Sequence, residues 1–145
     1  MVNFRDLKRL ATPSDDTVLL GIGWLNRDMN YATGKVAPNF YEKLTELCRN
    51  PWQPFATAGF HHCDLCQYDG VPFKGQLYVP GRGCIYVAPV GVAHYIATHW
   101  YRPPAVFVQA VLDCPPMQSM GYKKKLLSNG GRGLTQAFNE SSHPT

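Results

Sequence analysis

Two cysteines separated by two residues, Cys63 and Cys66, are the strongest chemical signal in this 145-residue sequence. A Cys-x-x-Cys turn places both sulfur atoms on its inner side, which is the arrangement that half of a tetrahedral zinc site requires. The surrounding segment reads HHCDLC, so His61 stands two residues before the first cysteine. We therefore interpret Cys63 and Cys66 as the first two ligands of a Zn²⁺ ion.

Two histidines further along the chain are the candidates for the remaining ligands. His94 and His99 are separated by four residues, which lies within the spacing of about three to five residues between paired zinc histidines. Five positions of a regular helix advance about 500°, so these side chains point about 140° apart. They can share one metal only if the helix widens or ends between them. The fourth ligand stays open among His61, His99, Cys84 and water.

The same residues support a redox or hydrolytic role less well than they support a structural zinc site. A redox-active Cys-x-x-Cys pair opens a helix, which lowers the thiol pKa, whereas the QYDGVP segment after Cys66 is typical of a turn. Catalytic zinc needs an open coordination position and commonly a carboxylate base. None of the three glutamates lies in an HExxH or zinc-deaminase motif. Asp64 is expected to face solvent, and we predict no catalytic residue.

Short elements must position these side chains, because 12 prolines and 13 glycines interrupt the chain. The apolar run at 17–25 predicts a buried strand. Residues 38–49 predict a helix with its apolar side chains at helical spacing, started by a proline and stopped by Pro51. Residues 76–88 predict a β-hairpin around a Gly-Arg-Gly turn.

Three short helices bounded by prolines are predicted after the hairpin, at 90–101, 104–113 and 117–129. The order of a Cys-x-x-Cys turn, a hairpin and a helix that carries histidine is that of a treble-clef-like zinc fold. We therefore predict an α+β protein with a zinc-knuckle, hairpin and helix core. Residues 1–131 are predicted to form a single globular domain and residues 132–145 a mobile tail.

Composition and targeting signals indicate a cytoplasmic globular protein. Hydrophobic residues make up 45 % of the sequence and charged residues 17 %, which is enough apolar material for a core. No stretch reaches the ~18 apolar residues of a membrane span, and the basic start is not followed by the apolar run of a signal peptide. Five cysteines, an odd number, suit metal ligation or free thiols in a reducing compartment better than disulfides.

The charge distribution does not indicate nucleic acid as a partner. The net charge is +4, and the only tight basic cluster is Lys123-Lys124-Lys125. A nucleic-acid-binding surface is expected to be a larger basic stripe. We interpret the three lysines as a solvated helix face.

Three segments of the sequence resemble a group of small uncharacterised bacterial proteins. These segments are GWL at 23–25, GFHHCDLC at 59–66 and APVGVAHYIATHWYRPPAVFVQAV at 88–111. The group shares the motifs GWL, GxHxCxxC and HYIxxHxYxPPxxF, and the resemblance covers about residues 17–126. It implies that His61, rather than His62, is the metal-side histidine of the first motif. It also singles out His94 and His99, and it implies no particular activity.

Together these patterns predict a domain whose zinc ion is structural, since such an ion contributes about 10 kcal/mol or more to the folding of small domains. The folded surface is expected to bind another protein, as an adaptor or an immunity-type module. The alternative is a zinc-dependent hydrolase or nuclease. Four protein ligands would make the site structural, and three ligands plus water would leave it open for catalysis.

Overall fold

The computed structural model describes residues 6–10, 17–25, 28–52, 60–61, 63, 65–66, 73–132 and 134, with the backbone alone at 60–61 and 73–74. Six strands and four helices occur in these ranges. The strands are β1 (Arg9–Leu10), β2 (Leu19–Gly21), β3 (Phe60–His61), β4 (Phe73–Lys74), β5 (Gln76–Pro80) and β6 (Ile85–Pro89). The helices are α1 (Pro38–Arg49), α2 (Val92–His99), α3 (Ala105–Leu112) and α4 (Met120–Ser128).

The main sheet has four strands in the order β1-β2-β6-β5. β5 and β6 form an antiparallel hairpin in the register Gln76↔Pro89 to Pro80↔Ile85, and β2 lies parallel to β6 on its other side. All five residues of β6 are buried, as expected for a central strand covered on both faces. The predicted hairpin is therefore confirmed, while the predicted strand at 17–25 is only three residues long.

A second, two-stranded sheet lies at the base of the segment that carries the cysteines. β3 and β4 pair antiparallel, with Phe60 opposite Lys74 and His61 opposite Phe73. The chain between these strands contains Cys63 and is closed into a loop by the pairing. The sequence did not predict this sheet, because two residues per strand are too few to show an alternating pattern.

The helices pack on the sheet through apolar side chains at helical spacing. α1 begins at Pro38, buries Phe40, Leu44 and Leu47, and ends one residue before Asn50, as predicted. It packs against α3 and α2, with the rings of Phe40 and Phe107 in an edge-to-face contact at 6.3 Å. The other three helices lie inside their predicted ranges. The α+β fold class is thus confirmed.

The Gly23-Trp24-Leu25 segment follows β2 and packs against the start of α2. The indole Nε1 of Trp24 donates a hydrogen bond to the carbonyl oxygen of Val87 in β6 at 2.9 Å. Gly23 has φ +74°, and a Cβ atom there would lie 2.9 Å from Cγ2 of Val92. Only glycine fits this close approach, which brings α2 against the end of β2.

A carboxylate near the start of the chain connects this segment to the residues after α2. Asp6 accepts hydrogen bonds from the Gly23 backbone N–H at 2.8 Å and from the Tyr101 hydroxyl at 2.6 Å. Tyr101 is fully buried. Burial, together with the Asp6 charge, raises the pKa of the Tyr101 hydroxyl, so it stays a donor at all ordinary pH values.

Among the described residues, no helix is both long and apolar enough to cross a membrane. Most of the predicted tail, residues 133 and 135–145, lies outside the described residues. Leu134 is buried against the core. The domain boundary at residue 131 stays a prediction.

Gly83 and Gly23 have nearly the same positive φ, so alanine substitutions at the two positions distinguish backbone strain from steric crowding. Gly83 has φ +72° but nothing within 4 Å of a Cβ position, so Gly83→Ala should lower the free energy of unfolding by about 1 kcal/mol through strain alone. Gly23→Ala adds the clash with Val92 and should cost about 1–3 kcal/mol more. Chemical denaturation of both variants measures the difference, and equal losses would contradict the packing described for α2.

Candidate metal centre

Four side chains converge at the end of α2. One donor atom each from Cys63, Cys66, His94 and His99 lies within 4.8 Å of the other three. Cys66 Sγ is 3.2 Å from His94 Nε2 and 3.3 Å from His99 Nε2, and Cys63 Sγ is 3.3 Å from His99 Nε2. Zinc–ligand bonds of about 2.3 Å to sulfur and 2.0–2.1 Å to nitrogen in a tetrahedron imply S···N distances of about 3.5 Å. The spacing therefore fits one shared metal ion.

The two cysteines reach this point from the loop between β3 and β4. Cys63 is buried and Cys66 is half-buried, and Leu65 between them packs against the hydrophobic core. The loop is thus anchored by an apolar side chain on one side and by the β3–β4 pairing at its base. Both anchors position the sulfur atoms toward α2.

His94 lies in the first turn of α2, which follows β6 after a two-residue turn. The backbone N–H of His94 donates to the carbonyl oxygen of Gly91 at 3.0 Å. Its ring Nδ1 lies 3.4 Å from the hydroxyl of Thr98, one helical turn later. A partner on the second ring nitrogen fixes the orientation of a metal-binding imidazole. Thr98 was not identified from the sequence, although its four-residue spacing from His94 was the available signal.

His99 is the last residue of α2, and the helix widens as it ends there. The backbone N–H groups of Trp100 and Tyr101 both bond to the carbonyl oxygen of Tyr95. The bond from Trp100 spans five residues instead of the four of an α-helix, which gives the wider turn of a π-type closure. This widening resolves the 140° conflict between His94 and His99, since both imidazoles now face the same sulfur atom.

Hydrogen bonds to residues 31–34 fix the chain after this turn. Trp100 adopts the left-handed conformation with φ 57°, which is unfavourable for an aromatic residue. The carbonyl oxygen of Trp100 accepts from Gly34 N–H at 3.0 Å, and Arg102 N–H donates to Ala32 at 2.9 Å. The Tyr31 hydroxyl donates to the carbonyl oxygen of His99 at 3.1 Å. These bonds fix the reversal that positions the His99 ring.

The surroundings favour the uncharged forms of Cys63, His94 and His99. Burial raises the pKa of the Cys63 thiol, and its hydrogen bond with Cys66 adds to the effect. Burial lowers the pKa of His94, and burial together with the charge of His94 lowers that of His99. A neutral imidazole is the form that binds metals, and a bound cation would stabilise the thiolates. The set contains no carboxylate.

The structure brings together four of the five predicted site residues, namely Cys63, Cys66, His94 and His99. The side chain of His61 lies outside the described residues, and so do His62 and Asp64. Cys84 is buried at the β5–β6 turn, where its sulfur lies beside Gly81, and it is not part of the cluster. Cys84 is thereby removed as a candidate for the fourth position.

A matched pair of substitutions tests the conformation at Trp100. Trp100→Gly and Trp100→Ala both remove the indole and differ by one methyl group. At an ordinary position alanine would be more stable by about 0.4–1 kcal/mol. Here the left-handed backbone should make the alanine variant less stable than the glycine variant by about 1 kcal/mol. Chemical denaturation measures this difference, and a more stable alanine variant would contradict the described helix end.

A family model for a domain of unknown function, DUF7919, matches residues 2–112. This region contains all four residues of the cluster and the elements that position them, from β1 to α3. No curated protein and no solved structure matches the chain. Because the matched region covers more than half of the sequence, the chain belongs to the DUF7919 family.

Proposed function

We propose that this chain is a small domain that folds around one structural zinc ion and presents a surface to another protein. The observation that carries the proposal is the convergence of two thiols and two imidazoles within 4.8 Å. The two pairs come from segments about thirty residues apart in sequence, with Cys66 and His94 separated by 28 positions. A shared metal ion would account for the convergence of two such distant pairs.

Zinc is the metal that this donor set favours. Two thiolates and two imidazoles in a tetrahedral arrangement are typical of zinc, whereas magnesium, calcium and manganese prefer oxygen ligands. The S···N distances of 3.2–3.3 Å are close to those of a tetrahedral zinc site. The proposed ligands are Cys63, Cys66, His94 and His99.

A structural role follows from the number of protein ligands. A catalytic zinc site keeps one position for water or substrate and commonly places a carboxylate beside it. In the proposed set, four side chains fill the four positions and none is a carboxylate. A zinc-dependent hydrolase or nuclease would need one of these side chains to leave the metal, so we propose that the protein is not an enzyme.

The elements around the cysteines support the need for a metal. β3 and β4 have two residues each, and such a short two-stranded sheet is not stable alone in water. A structural zinc ion supplies about 10 kcal/mol or more to folding in small domains. The proposed ion joins the cysteine loop to the end of α2 and so stabilises both.

We propose that the protein resides in a reducing compartment, because its cysteines are not paired in disulfides. All five cysteines are free thiols in the structure. Burial raises the pKa of Cys48 to about 12 and that of Cys114 to about 11, so these two thiols are unreactive core side chains. Free thiols and thiolate ligands are typical of cytoplasmic proteins.

Binding of another protein is supported by Trp100. Its side chain is 60 % exposed, although its neighbours Tyr95 and Tyr101 are fully buried. Exposed tryptophans are enriched among the residues that dominate protein–protein binding energy. The unfavourable backbone conformation at Trp100 also favours a functional role over packing. We propose Trp100 as an anchor for the partner.

Single substitutions of the proposed ligands should separate them from the other candidates. His94→Ala and His99→Ala should each reduce zinc affinity by about 10²-fold or more and lower the melting temperature, because each leaves one coordination position to water. His61→Ala and Cys114→Ala are the matched controls and should retain one zinc ion per chain. Metal analysis under chelator competition measures this. Retention of zinc by His99→Ala with loss in His61→Ala would contradict the ligand set.

The anchor is tested with variants that remove one exposed apolar side chain each. Trp100→Gly should lower the capture of a native partner from lysate by about tenfold, as expected for a central tryptophan in an interface. Met120→Ala is the control, since Met120 is also exposed but lies on α4. Zinc content should be equal in all samples. Equal capture by wild type and Trp100→Gly would exclude Trp100 as an anchor.

A further inference from the structure

A cleft of about 840 Å³ lies between the β5–β6 turn, one face of α3 and the last turns of α4. None of its lining residues belongs to the cysteine–histidine cluster. Its volume lies within the ~300–1,000 Å³ of typical small-molecule sites. The cleft therefore forms a second candidate site, and nothing in the metal proposal uses it.

Small residues and one strand side chain shape the apolar part of the cleft. Gly81 lies against the ring of Tyr86, where a Cβ atom would come within 2.5 Å of a ring carbon. Ala105 and Val106 form the wall at the start of α3. Val106 is 51 % exposed, so it presents an apolar surface to any bound molecule.

Two cations line the cleft, Arg82 and Lys125, and they differ in their hydrogen-bond partners. The Lys125 amino group donates to the backbone carbonyl of Asp113 at 2.9 Å. The Asp113 carboxylate accepts from the Gln109 side chain, with both oxygens at 3.1 Å. Arg82 is exposed and has no hydrogen-bond or ion-pair partner among the described residues. Within that part of the chain, no side chain competes with a ligand for its guanidinium.

We infer that the cleft binds an organic monocarboxylate with a short apolar body. The planar guanidinium of Arg82 matches a carboxylate with two parallel hydrogen bonds. Arg82 and Lys125 bring two positive charges to the cleft and Asp113 brings one negative charge, and the resulting single excess positive charge favours a ligand with one negative charge over a doubly charged phosphate. Val106 and the Tyr86 ring contact the apolar body. A free organic acid and the C-terminal carboxylate of a peptide share this chemistry.

The probes are isocaproate, its uncharged amide, and a leucine-terminated tripeptide with either a free or an amidated C-terminus. Each is titrated into the zinc-loaded 145-residue chain while backbone amide chemical shifts are recorded. Both carboxylates should shift the amides of Gly81, Arg82 and Val106, and both amides should bind at least about tenfold more weakly. Tighter binding of the free-acid tripeptide than of isocaproate would show that the cleft prefers the C-terminal carboxylate of a peptide to a free organic acid.

Three variants test the residues that carry the inference. Arg82→Gln should weaken carboxylate binding by about tenfold, as expected for the loss of a charge-assisted pair. Val106→Asp should abolish binding by repulsion, and an aspartate near the start of α3 is compatible with the helix. Lys123→Gln is the charge-matched control, because Lys123 is exposed and does not line the cleft. It should leave the affinity unchanged.

Two results would overturn the inference. The first is equal affinity for the acids and their amides, or an affinity that Arg82→Gln does not change. The second is a set of shifts centred on His94 and His99, which would show a carboxylate bound to an open metal site. That second result would also contradict the closed zinc site, whereas the first would leave the proposed function intact.

Discussion

The meeting of the cysteine loop with the last turn of α2 is the contact on which the rest of the structure depends. Cys63 and Cys66 stand in a loop whose base is a sheet of two residues per strand, so that loop has little stability of its own. His94 and His99 stand on an eight-residue helix, which is also too short to be stable in isolation. The cysteine loop and α2 therefore depend on each other for stability. Their four donor atoms converge within 4.8 Å.

The surrounding contacts serve to place His99. A regular α-helix would turn its ring away from His94, so the helix must widen and reverse at Trp100. The reversed chain is held by Gly34 and by the Tyr31 hydroxyl, and then by Tyr101, whose hydroxyl bonds to Asp6. These partners come from early parts of the sequence. The site consequently depends on long-range contacts well beyond its four side chains.

Much of this arrangement could be predicted from the sequence. The features that could not be predicted depend on tertiary contacts. The helix at 38–49 and the hairpin at 76–88 were predictable because prolines and apolar periodicity mark them. The geometric conflict between His94 and His99 was also visible, together with its two possible solutions. The parallel pairing of β2 with β6, and the choice among the fourth-ligand candidates, depend on tertiary contacts. The spacing from His94 favoured His99, but the geometry of a regular helix opposed it, so the sequence left His61 and Cys84 open beside it.

X-ray absorption at the zinc edge of the zinc-loaded 145-residue chain tests the closed site most directly. Two sulfur neighbours at about 2.3 Å and two nitrogen neighbours at about 2.0–2.1 Å are predicted. Both nitrogen neighbours should carry the outer-shell scattering of an imidazole ring. Two sulfurs with only one imidazole and a light atom without ring scattering would mean that water occupies the fourth position. That result would contradict a structural site and favour a catalytic one.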